Sequence, residues 1–210
     1  PSAAPEYVTG RQEEWKAFLA TAARNYKYPY YDQLMIYLQR PEATACAEYD
    51  FWFDTMHRYV KRGAKGIALV DNEGDSPRLR YVFDVADTGA RRNSRPVWLW
   101  QMKEEYRNPV MAALERAYGI SGENQSLEAQ LEQVAGRLAA DYWLDYGKQI
   151  RGIVADSFLE EYDEFNIGTV FRKAAQASIA YTLSVRCTEE GENLFEPEDF
   201  RDVSDFNTRQ

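Results

Sequence analysis

Four cations stand within eight residues: Arg58, Lys61, Arg62 and Lys65. On a helix these positions fall at i, i+3, i+4 and i+7 and share a face. Gly63 and Gly66 flank the last of them. Glycines let backbone N–H groups approach a ligand closely, so a phosphate there would meet both amides and cationic side chains. The same pattern also arises without a ligand, where cations complement the dipole at a helix C-terminus. Upstream, Tyr26, Lys27, Tyr28, Pro29, Tyr30 and Tyr31 interleave rings with a cation. Exposed tyrosines can serve as stacking platforms for unpaired bases, worth about 1–3 kcal/mol per base. Tyr30 and Tyr31 are the candidates for that role, beside Lys27. Tyr28 is expected to seal a helix corner with its hydroxyl reaching water.

Enzyme motifs are absent. The chain has no His-Glu-x-x-His helix, P-loop, dinucleotide glycine fingerprint or Gly-x-Ser-x-Gly elbow. His57 is the single histidine, so a nucleophile–base pair would have to use it, and a zinc cluster of Cys and His cannot be assembled. Glu160-Glu161 and Asp163-Glu164 could in principle bind metal, but such pairs near a helix end are more often a solvated face. The reading is a non-catalytic chain with no cofactor and no metal.

Length and charge bound the rest. The 210 residues allow one generous domain or two small ones. With 45% hydrophobic and 28% charged residues, the composition is that of a globular protein. No run approaches a membrane span, and the start, Pro-Ser-Ala-Ala-Pro-Glu, lacks the features of a signal peptide. The missing initiator Met suggests a fragment or trimmed chain. Cys46 and Cys187 make no disulfide framework, which points to a reducing cytoplasm. The net charge of −9 argues at first against nucleic acid. Its distribution is uneven, however: residues 1–105 hold 15 Lys+Arg and 15 Asp+Glu, whereas residues 106–210 hold 10 against 19. Binding follows local potential, because distant charges are screened.

Apolar spacing places the elements that must position these groups. Trp15, Phe18, Leu19, Ala22 and Ala23 predict a first helix, with Thr9 and Gln12 as its capping box. A second helix is bracketed by Pro29 and Pro41, and a third is expected over about 48–60. Ile67–Val70 and Leu79–Phe83 read as an antiparallel hairpin with a loose loop at Asp71–Pro77. A polar loop over 87–96 and a short apolar run, Val97–Trp100, follow. Helices are expected near 102–118, 126–146, 148–164 and 168–187, and the acidic segment from Thr188 should pack loosely or act as a linker. Trp15, Trp52 and Trp98 are assigned to the core. The fold class is α+β, mainly helical with a small antiparallel hairpin or sheet.

The order of these parts resembles a known family. Trp15, Phe18-Leu19, Ala22-Ala23-Arg24 and Tyr26 lead to Tyr30-Tyr31-Asp32-Gln33-Leu34, Gln39-Arg40-Pro41 and Ala43-Thr44-Ala45-Cys46. Trp52 and Val60–Ile67 follow, then Tyr81–Val85 with Asp87-Thr88, and finally Phe171, Ala174 and Ser178–Thr182. This resembles the N-terminal domain of ArdC-type antirestriction proteins. The version most similar opens large helicase–methylase proteins of conjugative elements in Firmicutes. The likeness is dense over about residues 12–88 and patchy beyond.

The resemblance implies a single-stranded DNA-binding module of a mobile-element protein, with any helicase or methyltransferase activity in attached domains outside this chain. It implies a core over 8–100, an acidic helical insertion at 101–166, a closing helix at 167–187 and an acidic tail or linker at 188–210. It also adds Arg40 to Lys61, Arg62 and Lys65 as functional candidates, with Gln39 as a base or phosphate contact. The candidate nucleic-acid-binding set is thus Lys27, Tyr30, Tyr31, Gln39, Arg40, Arg58, Lys61, Arg62 and Lys65. The acidic second half leaves an alternative: a protein-interaction module, or a DNA-mimic decoy for a host DNA-binding enzyme.

Overall fold

A computed structural model describes residues 8–71 and 76–207. The N-terminal segment read for a signal peptide, most of the hairpin loop and the last three residues lie outside the described part. The described chain is α+β and mainly helical, with antiparallel sheets of three and two strands. It divides into two compact units, Thr21–Trp100 and residues 1–20 with 101–210; the division falls inside helix α1, Gln12–Arg24. The segments expected as insertion, closing helix and tail therefore group with residues 1–20.

In the Thr21–Trp100 unit, helix α2 (Tyr30–Gln39) starts after Pro29 and ends before Pro41. The prolines account for both limits: one can precede a helix, but none can continue it. Leu34, Ile36 and Tyr37 are buried along α2. Beside it lie strands β1 (Cys46–Glu48), β3 (Ile67–Asp71) and β4 (Arg78–Asp84), in the order β1-β4-β3. Ile36, Ala43, Ile67, Leu69 and Val82 form the core between helix and sheet, with Tyr28, Met35 and Cys46 against it. Asp32 on α2 pairs with Arg80 on β4 at 2.5 Å.

The expected hairpin is present as β3–β4, with Ile67 opposite Val82 and Asp71 opposite Arg78. The expected third helix is present only over residues 49–55. Its span begins in β1, passes through one π turn at Phe51–Thr55 and becomes strand β2, Arg58–Val60. Strand β5, Thr88–Ala90, comes from the expected polar loop and pairs with β2 in a separate ribbon. His57 makes the turn into β2 with φ of +53°. The aromatic spacing from Phe51 to Val60 mimicked a helical stripe, but strand pairing at both ends of the segment overrides that preference.

Buried Asp84 fastens the join between the sheets. Its carboxylate accepts hydrogen bonds from the Thr44 N–H (2.8 Å), the Thr44 hydroxyl, the Ala45 N–H (3.3 Å) and the Ala86 N–H (3.2 Å). Trp52 is buried, as expected, and donates to the Phe83 carbonyl at 2.9 Å. Trp98 is not core: it is 88% exposed on an irregular segment.

The other unit is built on three helices: α3 (Arg107–Tyr118), α4 (Leu127–Ile153) and α5 (Glu164–Cys187). Each N-terminus of the longer pair carries a side-chain cap, Ser126 accepting from the Ala129 N–H and Asp163 from the Asn166 N–H. α4 replaces the two helices expected over 126–146 and 148–164. Gly147 does not break it, since an interior glycine costs only about 1 kcal/mol and the Trp143 ring packs where a Cβ would stand, 3.1 Å away. Residues 154–163 are turns, held by the buried Ser157 hydroxyl, which donates to Val154 O and accepts from the Leu159 N–H.

The segment after Thr188 is not a loose tail. A 3-10 helix, Pro197–Phe206, buries Phe200 and Val203. Phe200 meets Tyr181 of α5 edge-to-face, with ring centroids 5.4 Å apart. The Thr9 hydroxyl, expected to cap α1, donates to Asn207.

Candidate nucleic-acid interface

The β2–β5 ribbon organises the most ligand-like surface of the Thr21–Trp100 unit. Its register sets Arg58 opposite Ala90, Tyr59 opposite Gly89 and Val60 opposite Thr88. Side chains alternate across a ribbon, so Tyr59 and Gly89 share one face while Arg58, Val60 and Thr88 share the other. With no side chain at position 89, the Tyr59 ring lies directly on the backbone: a Cβ on Gly89 would stand 2.3 Å from the ring.

Arg91 continues the Gly89 face past the end of β5. Its guanidinium carbon lies 4.9 Å from the Phe53 ring centre and 5.9 Å from that of Tyr59. Phe53 in turn stacks on Tyr49, with centroids 5.8 Å apart and planes within 11°. Tyr49, Phe53 and Tyr59 remain 48%, 39% and 41% exposed. The result is an open array of three rings with a planar cation against two of them.

The loop bearing Arg91 is tied down. The Arg91 N–H donates to Ser94 Oγ at 2.6 Å, Ser94 Oγ donates to His57 O at 2.6 Å, and the Arg95 N–H donates to Met56 O at 2.9 Å. Arg92 and Arg95 are exposed on the same loop. The unit as a whole holds 12 Lys+Arg against 10 Asp+Glu, a balance of +2. The acidic excess of the chain thus lies in the other unit.

The cations singled out from spacing do not share a helix face. Arg58 lies in β2, and its Nε donates to the Thr88 hydroxyl at 2.8 Å, across the ribbon from the Tyr59 face. Lys61 begins a turn closed by the Ala64 N–H donating to Lys61 O, with Gly63 at φ +85°. A positive φ at the third position of such a turn favours glycine. Lys61 Nζ donates to Ala86 O at 2.8 Å. Arg62 and Lys65 are exposed and bond no group among the described residues.

Gln39 is held in the scaffold. Its amide Nε2 donates to Ala68 O and its Oε1 accepts from the Ala68 N–H, each at 2.9 Å. Arg40 is an ion-pair residue, 3.1 Å from Asp87 and 3.5 Å from Glu42. Burial disfavours its charge, yet the Asp87 contact keeps the guanidinium above its ordinary pKa. Tyr28 donates to Cys46 O at 2.8 Å, and burial raises its phenol well above the ordinary value. Tyr30 and Tyr31 are exposed and meet edge-to-face at 5.4 Å, and Lys27 lies 5.9 Å over the Tyr26 ring.

No metal-holding group of three or more His, Cys, Asp or Glu occurs among the described residues, and none of their helices is long and apolar enough to cross a membrane. Burial pushes the Cys46 thiol up to about 12, with the Asp84 carboxylate adding to the effect, so it is a poor nucleophile. No family model, curated protein or solved structure matches the chain. The functional reading therefore rests on the geometry of these residues.

Spacing missed Tyr49, Phe53 and Arg91. The signal was present as a cluster of Arg91, Arg92 and Arg95 and as rings at 49, 53 and 59. Joining them requires the β2–β5 pairing, which no local pattern announces.

Proposed function

We propose that the Thr21–Trp100 unit binds single-stranded DNA with little sequence preference. One observation carries the reading: the exposed Tyr49–Phe53 stack, with Arg91 over the Phe53 and Tyr59 rings. Rings stack on any base, and the exposed Arg62, Lys65, Arg92 and Arg95 of the same unit would supply charge for the phosphates. The resemblance to ArdC-type N-terminal domains, dense over about residues 12–88, supports the same class of ligand. On that resemblance we extend the proposal to a conjugative or antirestriction protein acting in the cytoplasm, non-catalytic by itself, with any helicase or methyltransferase in attached domains.

A salt titration with fluorescent oligonucleotides tests this. Single strands should bind more tightly than duplexes of equal length, and affinity should fall log-linearly with salt as counterions are released. Arg62→Glu with Arg92→Glu should remove most binding. Equal affinity for duplex and single strand, or no response to salt, refutes the proposal.

A second reading, the protein-interaction module or DNA-mimic decoy, has its own support. The unit of residues 1–20 and 101–210 carries 13 Lys+Arg against 24 Asp+Glu, a balance of −11. Capture of a host restriction factor that oligonucleotide then displaces would favour it.

A further inference from the structure

The acidic unit contains a groove that none of the DNA-binding argument uses. A depression of about 810 Å³ runs between α4, α5 and the segment after Thr188. A second, of about 260 Å³, adjoins it and shares Glu128 and Leu194. The floor is small and apolar: Ala129 from α4, Ala177 and Ala180 from α5, with Phe195 and Leu194 opposite. Short side chains keep it concave.

The rim is acidic. Glu132, Glu198, Asp199 and Asp202 line the larger depression, and Glu104, Glu189 and Glu190 the smaller. Of the cations at the groove, Arg107 pairs with Glu128 at 3.1 Å, Arg201 lies 3.9 Å from Asp202 and Lys103 lies 3.9 Å from Glu105, while Lys173 is exposed and unpaired among the described residues, so the larger depression keeps five carboxylates against two cations. Glu132 and Glu198 are exposed with no partner among the described residues. On the floor, Ser184 is 4% exposed, and its hydroxyl has no hydrogen-bond partner among the described residues. The hydroxyl is therefore open to the groove, where solvent or a ligand can serve it.

We infer that this groove binds a basic, partly apolar segment of a partner protein. Apolar side chains would lie on the alanine floor and Lys or Arg would meet the glutamate rim, the way a groove takes a peptide by side-chain anchors. Nucleic acid is repelled by the same rim, and a second copy of this acidic unit would bring like charge against it. The inference is independent of the DNA-binding proposal.

Fluorescence anisotropy of a labelled peptide alternating Arg and Leu tests it on the whole chain, near physiological salt. Glu132→Lys with Glu198→Lys should weaken binding about tenfold or more, and Ala177→Trp, which fills the floor, should weaken it comparably. Glu160→Lys with Glu161→Lys reverses the same charge on the turns after α4, outside the groove lining, and should leave binding near wild type. Unlabelled single-stranded DNA should not compete. If both charge reversals weaken binding equally, or Ala177→Trp has no effect on a folded protein, the attraction is only to net charge and the groove proposal fails. Loss of DNA binding elsewhere would leave these outcomes unchanged.

Discussion

The carboxamide of Gln39 binds both backbone polar groups of Ala68, at 2.9 Å each. Because β3 is an edge strand, this side chain does what a neighbouring strand would do. At the other edge, the Tyr28 hydroxyl occupies Cys46 O at 2.8 Å. Exposed strand edges invite pairing with other chains, and both are here blocked by side chains.

Replacing Gln39 by Leu should therefore act on stability and association rather than on ligand binding. Two backbone groups lose their partner, a cost of about 1–3 kcal/mol. Urea denaturation should show that loss, and light scattering should show more self-association. Weaker oligonucleotide affinity in a variant that remains folded would return Gln39 to the binding surface.

Gly89→Ala tests the Tyr59 face. The added Cβ would stand 2.3 Å from the ring, so Tyr59 must leave its place or the ribbon must open. Overpacking of this kind costs about 1–3 kcal/mol. Adding Tyr59→Ser should recover most of the lost stability, since the two residues are coupled through a single contact. A double variant no more stable than Gly89→Ala would place the strain elsewhere.

Where structure was legible in sequence, the cause was local. Pro29 and Pro41 fix the ends of α2 by backbone chemistry alone, and alternation plus turn residues disclose β3–β4. The Ser126 cap starts α4 near its expected beginning, whereas the Asp163 cap starts α5 at Glu164, ahead of the expected 168. What stayed hidden depends on distant partners. Arg58–Val60 is a strand because Thr88–Ala90 pairs with it, and that pairing turns Arg58 away from the Tyr59 face. Phe200 is core because Tyr181 covers it, although the acidic residues around it read as a tail. Arg91 could not be singled out until the ribbon register set it beyond Gly89 on the aromatic face.

Asp84 should be the least replaceable carboxylate of its unit. It is 2% exposed and accepts from Thr44, Ala45 and Ala86. Asp84→Ala leaves these buried donors unpaired, at a cost of about 3 kcal/mol or more. Asp84→Asn keeps one acceptor oxygen and should lose less. Chemical denaturation of both variants checks the order; an alanine variant as stable as the asparagine one would contradict it.

Cys46 gives a pH dependence of stated sign. Its thiol is raised from 9.0 to about 12 in the fold, chiefly by burial. The native state therefore holds this proton more tightly than the unfolded chain, so its contribution is full below pH 9 and is lost as pH rises toward 12. Cys46→Ala should flatten that part of the alkaline stability curve. At pH 8, alkylation of native Cys46 should be far slower than in urea, as mass mapping can measure. Equal rates in the two states would show the thiol to be accessible and ordinary.

Arg91 offers the sharpest separation of stacking from charge. Its guanidinium, a flat group, lies over the Phe53 ring at 4.9 Å and over the Tyr59 ring at 5.9 Å from their centres. Lysine keeps the charge but not the plane. If the array works by stacking, Arg91→Lys should weaken single-strand binding by about 1 kcal/mol while leaving the salt slope unchanged. Arg91→Ala should weaken it further and lower the slope by about 0.7, the value of one lost phosphate contact on a single strand. Phe53→Ala should cost about 1–3 kcal/mol with no change of slope. Should Arg91→Lys bind like wild type while Arg91→Ala does not, charge alone is at work, and the rings at 49, 53 and 59 are then scaffold.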